Sequence, residues 1–357
     1  MRVISTLFKR VVYPGLSKVG YLRWPEDARL AVLTYHGLLP QGYVIRDAVL
    51  DGNLITADDF RAQLRWLKTR FNVISPEQFR GWCDRRDQLP PRSVLLTCDD
   101  GLLNTLTDML PIIRELDLPF LFFVTGASLS EQSSMLWYEQ LYLWLLDAPR
   151  KIEIEMPWRK DRYVAETTSV KRSLWQEFIR KLSAFDESTR DNTLAQTRIQ
   201  LGISENWCSE YSQNEPLRRR FFMLNRRELL ELARAGVTIG AHTHSHPMLS
   251  QMPEAQAVRE ISQSRTDLLT ALDHEVWALA YPFGTPEAAG AREASMALQA
   301  GFKCAFMNTE SSQADHFRYR RIHISRGMSL PELEAHMSGF YYGMREKYST
   351  LIAASGA

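Results

Sequence analysis

The chain has 357 residues, with 43 Lys plus Arg against 42 Asp plus Glu, a formal charge of +1. That length can bury the core of one large α/β domain or two modest ones without covalent staples, which excludes a small disulfide scaffold. The even charge lacks the basic bias of a phosphate-backbone binder and argues against nucleic acid as a partner.

In residues 1–29, Ile4, Leu7, Phe8, Val11 and Val12 recur at helical spacing, which predicts an amphipathic segment packed on its own domain. Contact with the inner membrane surface is the alternative reading, although one short basic helix is a weak anchor. Lys9 and Arg10 interrupt the apolar residues before they reach the length of a signal-peptide core. The four cysteines, Cys83, Cys98, Cys208 and Cys304, form no CxxC pair, which fits a reducing compartment. The expectation is a cytoplasmic protein.

Leu30 to Tyr35 is a short apolar, β-prone run ending at His36 and Gly37, a buried strand followed by a loop. Thr56 and Asp59 resemble a capping box ahead of a helix carrying Phe60, Leu64, Leu67 and Phe71 at its period. Val73 and Ile74 predict a brief strand, and Ser75-Pro76 opens a second helix. Ser93 to Cys98 is another continuous apolar strand, with Asp99, Asp100 and Gly101 where it stops. Leu106 to Leu116 reads as a helix and Phe120 to Thr125 as a strand of the kind covered on both faces.

From 128 to 222 the alternation loosens into Trp-rich, charged helical stretches, with no clear strand after Lys151 to Met156. This is read as a largely helical insertion. Regularity returns at Asn225, which pairs with Glu228 as a capping box, and the helix ends at Gly236. Strands are then predicted at Val237 to Thr243, Val276 to Gly284, Phe302 to Asn308 and Arg320 to Ile324, with helices between. Alternating strands and helices, with polar residues gathered where strands end, predict an α/β barrel whose site lies at the C-terminal face. The domain reading is 30–340, interrupted by 128–222, with 341–357 as a tail.

Two clusters carry chemistry. His242, His244 and His246 follow a strand directly, and closely spaced neutral imidazoles are the commonest metal ligands. On an extended segment all three would share a face, whereas a turn after His242 would bring it to His246 alone. Asp99 and Asp100 stand side by side at a strand end, where adjacent carboxylates repel unless a cation or proton relieves them. One metal ligand beside one base is the natural division of labour.

Together Thr97-Cys98-Asp99-Asp100-Gly101 and His242-Thr243-His244-Ser245-His246-Pro247 resemble the signature of the polysaccharide deacetylases, the NodB-homology enzymes of carbohydrate esterase family four. Tyr281-Pro282-Phe283-Gly284 looks like that family's third motif, and the segment around His36 is similar to the start of biofilm-polysaccharide deacetylases. The resemblance spans residues 30–127 and 223–327. It implies a distorted (β/α)7 barrel, metal ligation by Asp100, His242 and His246, and Asp99 as the base that activates water. His244 becomes a bystander, Thr243 lies beside the metal site, and the backbone N–H of Tyr281 helps hold the oxyanion.

Two departures from the family pattern stand out. The Arg that orients the base is replaced by Ala280, and Arg321 is the candidate substitute. The C-terminal Leu-x-His is not evident, so His36 is the expected general acid, as in the biofilm subgroup, with His323 as competitor.

The resemblance therefore implies a hydrolase that removes an acetyl group, in the first place N-acetyl, from a sugar in surface-polysaccharide or glycolipid biosynthesis. Its cofactor is one divalent metal, zinc by default, with other first-row ions equally suited by ligand type. Partners are an N-acetylated sugar, a lipid-linked saccharide or a polysaccharide. A deformylase of a lipid-linked formamido sugar is the rival enzyme, and a non-catalytic carbohydrate-binding protein of a polysaccharide assembly system the rival from another class.

Overall fold

The computed structural model describes residues 7–22, 24, 30–309 and 315–344. Ile4, residues 25–29 and the tail beyond 344 lie outside the described residues. Nine strands form one sheet: β1 (Leu30–Tyr35), β2 (Asn72–Val73), β3 (Ser93–Cys98), β4 (Leu121–Val124), then β7 (Thr238–Ala241), β8 (Ala278–Ala280), β9 (Cys304–Met307), β10 (Tyr319–Arg320) and β11 (Ile322–His323). Two more, β5 (Ile152–Ile154) and β6 (Tyr163–Ala165), make a separate antiparallel hairpin.

Neighbours run β10-β9-β8-β7-β4-β3-β1-β11, and every pair is parallel. The two ends of that path are one stretch of chain. Tyr319 and Arg320 pair with β9, then Ile322 and His323 pair with β1, so the last strand is handed across the seam at Arg321. Counted as one, β10 and β11 give seven strands in a closed ring, the distorted (β/α)7 barrel. Part of the distortion is β2, which pairs with the start of β3 at Asn72 and Val73, while the end of β3 pairs with β4.

The barrel is filled by side chains, as a seven-stranded ring demands. Val32, Leu95, Leu121, Phe123, Ala278, Ala280, Cys304 and Phe306 make its interior. The helix Pro76–Cys83 adds Phe79, whose ring meets Trp277, Phe306 and Tyr319. Alternate residues, including Leu33, Tyr35, Leu96, Phe122, Val124 and Ile239, face outward into a second core under the flanking helices. Period-two alternation between two apolar layers is why these strands read as unbroken hydrophobic runs.

The expected caps form at Thr56, Ser75 and Asn225, and Gly236 takes the left-handed conformation after its helix, φ +90°. The segment leaves the barrel at Met135 and returns at Phe222, two positions joined by an isolated bridge. Between them a separate core gathers Leu141, Tyr142, Leu145, Ile154, Leu174, Phe178, Leu194 and Tyr211. The hairpin corrects the expectation of no strand after Met156: β6 is three residues long, too short to register as alternation.

At the N-terminus, Phe8, Tyr13 and Leu16 pack with Ala335, Phe340 and Tyr341. Leu7 and Val11 instead face solvent, 53% and 59% exposed. The expected stripe is thus split, because a wide turn over Phe8–Val12 shifts the helical phase ahead of Tyr13–Lys18. Among the described residues no helix is long and apolar enough to cross a membrane, and all four cysteines are free.

Candidate active site

Three loops leave the strands' C-terminal ends with backbone in the left-handed region that L side chains avoid. After β3, Asp100 has φ +74° and Gly101 φ +76°; after β7, Thr243 has φ +64° and His246 φ +58°; after β8, Phe283 has φ +61°. For β-branched Thr243 such a conformation costs on the order of 1–3 kcal/mol and persists only where the surroundings impose it. Its own hydroxyl accepts the His246 N–H at 3.2 Å. The turn this makes brings His242 to His246, ring centroids 4.9 Å apart, and leaves His244 outside, between Asp267 and Glu187. Of the two arrangements open to the histidine cluster, the chain takes the turn.

The imidazoles converge on one carboxylate oxygen. His242 Nε2 lies 3.4 Å and His246 Nε2 3.3 Å from Asp100 Oδ1, all three residues are buried, and their candidate ligand atoms lie within 4.8 Å of one another. His242 Nδ1 sits 2.8 Å from the carbonyl of Ala280. That contact assigns the proton to Nδ1 and leaves the Nε2 lone pair toward Asp100, the tautomer a metal ligand needs.

Beside this cluster, Asp99 is gripped by Arg321, whose Nη1 and Nη2 donate to its two oxygens at 2.7 and 2.6 Å. Both side chains are essentially inaccessible. Arg321 Nη1 also reaches Thr97 Oγ1 at 3.2 Å, and its Nε reaches the Met307 carbonyl at 3.3 Å. The Arg expected from a distant strand therefore meets the carboxylate, aimed by the seam where the barrel closes.

Burial works against charge on both acids, and their partners outweigh it. Arg321, His242 and His36 hold the Asp99 carboxyl below its ordinary value, and the adjoining imidazoles of His242 and His246 hold Asp100 well below. His242 is burial-disfavoured as a cation, yet the nearness of Asp100 and the field of Asp99 push it upward. Two buried carboxylates thus face a single guanidinium, and a neutral imidazole is asked to supply the missing positive charge. Two nitrogens and a carboxylate around one point, one cation short, fit a divalent ion.

His36 and His323 both stand at this centre, ring centroids 4.8 Å apart. Burial lowers His36, with Asp100 and Asp99 the first charges to oppose it. Burial and then His36 lower His323 to about 3, and its Nε2 is 3.2 Å from Asn53 Oδ1. His36 is the one coupled most directly to the carboxylates.

The expectation for Tyr281 needs correction. Its backbone N–H donates to the Phe306 carbonyl at 3.0 Å because Tyr281 continues the β8–β9 ladder one residue past Ala280. Its hydroxyl donates to the Phe317 carbonyl at 3.0 Å. Pro282 has no N–H, so the next amide along the turn is that of Phe283.

Two residues beside the histidines carry no role in the sequence reading, Phe283 named only within its motif and Tyr138 not singled out. The Phe283 ring lies 5.0 Å and the Tyr138 ring 5.0 Å from His246, and the two rings are 5.4 Å apart. Tyr138 belongs to the insertion, on the helix Trp137–Asp147. Burial and then the charge of Asp100 push its phenol well up, so it stays protonated. No local pattern marks it, since it sits in an apolar helix among other aromatics.

The polysaccharide deacetylase family model matches residues 203–304, a stretch that holds both histidine ligand candidates. No curated protein matches the chain. Among solved structures it is similar to the Streptococcus pyogenes deacetylase PplD, solved with acetate, at 17% identity and TM-score 0.53, covering 87% of this chain and 98% of that one. IcaB from Ammonifex degensii shares 16% identity at TM-score 0.53, over 88% and 98%. A de-N-acetylase from Aggregatibacter actinomycetemcomitans shares 15% at TM-score 0.52, over 86% and 99%. The resemblance to NodB-homology deacetylases read from the motifs is borne out by the family match and by the shared barrel.

Proposed function

We propose that this protein is a divalent-metal-dependent carbohydrate deacetylase that hydrolyses the N-acetyl group of a sugar destined for a surface polysaccharide or glycolipid. The observation that carries the reading is the convergence of Asp100, His242 and His246 on one point, with Asp99 fixed beside it by Arg321. Asp100, His242 and His246 would hold the ion, which when bound polarises the acyl carbonyl and acidifies water.

The remaining work falls to side chains. Arg321 keeps Asp99 ionised and aimed, so that it can accept a proton from the attacking water. His36 in its protonated form gives that proton to the departing nitrogen, which would otherwise leave as an unstable anion. The neutral imidazole then takes up a proton again from solvent while Asp99 releases the one it took from water, so the protons balance over the cycle. His323 meets the His36 ring edge-on, at an interplanar angle of 66°. Zinc is the default ion, and the ligand set equally accepts other first-row metals.

For location, the proposal is the cytoplasmic face of the inner membrane, acting on a sugar precursor that is lipid-linked or part of an unfinished polymer. Support comes from the exposed Leu7, Val11, Val19 and Tyr21, interspersed in sequence with the exposed Arg10 and Lys18, a composition suited to an anionic surface.

Metal analysis of the purified protein, combined with acetate release from a panel of N-acetylated sugars, tests the reading. One divalent ion per chain and acetate from at least one sugar are expected. Formate release from formamido sugars alone would instead mark the deformylase, and an inert, metal-free protein would mark the binding protein.

A further inference from the structure

The insertion does more than flank the barrel. It enters at Met135 and leaves at Phe222, and three of its side chains meet the metal loop or its immediate continuation. Arg190 Nη1 donates to Ser245 Oγ at 3.0 Å, Ser183 Oγ accepts the Met248 N–H at 2.9 Å, and the Tyr138 ring lies against His246. The first two hold the loop from outside. The third reaches over the ligands themselves.

Tyr138 is held from several directions. Trp175 Nε1 donates to its carbonyl at 2.6 Å, and the next residue, Glu139, takes two bonds from Arg220 at 3.0 and 3.1 Å. Arg220 in turn donates to Asp51 at 2.8 Å and to the Leu50 carbonyl at 2.8 Å, fixing the insertion to the loop that follows β1. A buried charge triad is an expensive way to secure a helix that only covers a surface. It is a sensible way to hold one side chain in a working position.

The Tyr138 ring lies 5.0 Å from the ring of His246 and 5.4 Å from that of Phe283, which puts its phenol beside a candidate metal ligand and the turn after β8. The amide first expected to serve the acyl oxygen, that of Tyr281, is already spent on Phe306. We propose that Tyr138 is a catalytic residue whose hydroxyl donates a hydrogen bond to the substrate's acyl oxygen as that oxygen gains negative charge. The inference rests on the deacetylase reading above. It adds that the insertion completes the active site.

Tyr138→Phe tests it, because phenylalanine keeps the ring and its packing on His246 and Phe283 and removes only the donor. Loss of a donor to a developing oxyanion predicts a fall in kcat of about 100-fold. The KM, the metal content per chain and the melting temperature should stay close to those of the unaltered protein. A kcat within about threefold of the unaltered value, or a rise in KM alone, would overturn the proposal. A melting temperature that drops together with activity calls for Tyr138→Met, and recovery of kcat by that donor-free residue would also overturn it. Active unaltered enzyme with an equally active Tyr138→Phe variant sinks this inference only. Unaltered protein that binds no metal and releases no acetate removes the deacetylase reading and this one together.

Discussion

The barrel and the insertion build the same site by different means. The barrel places Asp99, Asp100 and His242 within a residue or two of strand ends and His246 on the turn that follows, with strain at Asp100, Thr243 and His246. The insertion has its own apolar core and touches the centre through Tyr138, Arg190 and Ser183. Chemistry that must be exact to a fraction of an ångström rests on the closed sheet. What surrounds it comes from a region with a separate apolar core.

The strongest way to break that contrast is to remove one barrel ligand. His246→Ala should lose the bound metal and take turnover below detection, read by elemental analysis and acetate release. Asp99→Asn should be as inactive while keeping its metal, since the amide cannot accept the proton but leaves the three ligands untouched. Ordinary activity in Asp99→Asn would end the assignment of the base.

The insertion's attachment gives the next effect. Arg220→Met leaves Asp51 and Glu139 as buried, uncompensated charges and should cost about 3–5 kcal/mol of stability in denaturant unfolding. If the two regions are as separable as their cores suggest, limited proteolysis of this variant should cut within 135–222 before it cuts the barrel.

A smaller effect belongs to His323. Its native value lies near 3, below the ordinary 6.5, so as pH falls from 7 to 5 the unfolded chain takes up a proton that the native state refuses. Stability contributed by the neutral ring is therefore present above about pH 6.5 and lost on acidification. Against His323→Asn the unaltered protein should lose about 1 kcal/mol more between pH 7 and 5, after allowance for solvent reaching the half-buried ring. An equal loss in both would show that the ring titrates normally.

The same contrast governs what could be read from residues alone. A parallel strand buried on both faces is a continuous apolar run, so its end is visible, and polar residues there are conspicuous. That is why the acid pair and the histidine cluster stood out, and why Arg321 could be nominated from an alternating strand. Tyr138 could not be, because an aromatic on an aromatic-rich helix has the same local signature whether it faces a core or a ligand. The Tyr281 amide misled for a related reason: whether a strand's last N–H is free depends on where its neighbour ends. The N-terminal stripe failed because one wide turn shifts every later side chain to another face.

Arg321 occupies the seam between the ring's last strand and its first, and the same guanidinium grips Asp99. On the proposed mechanism, a chain truncated before Arg321 would carry the three candidate ligands Asp100, His242 and His246 and lack both the strand that closes the ring and the group that aims the base.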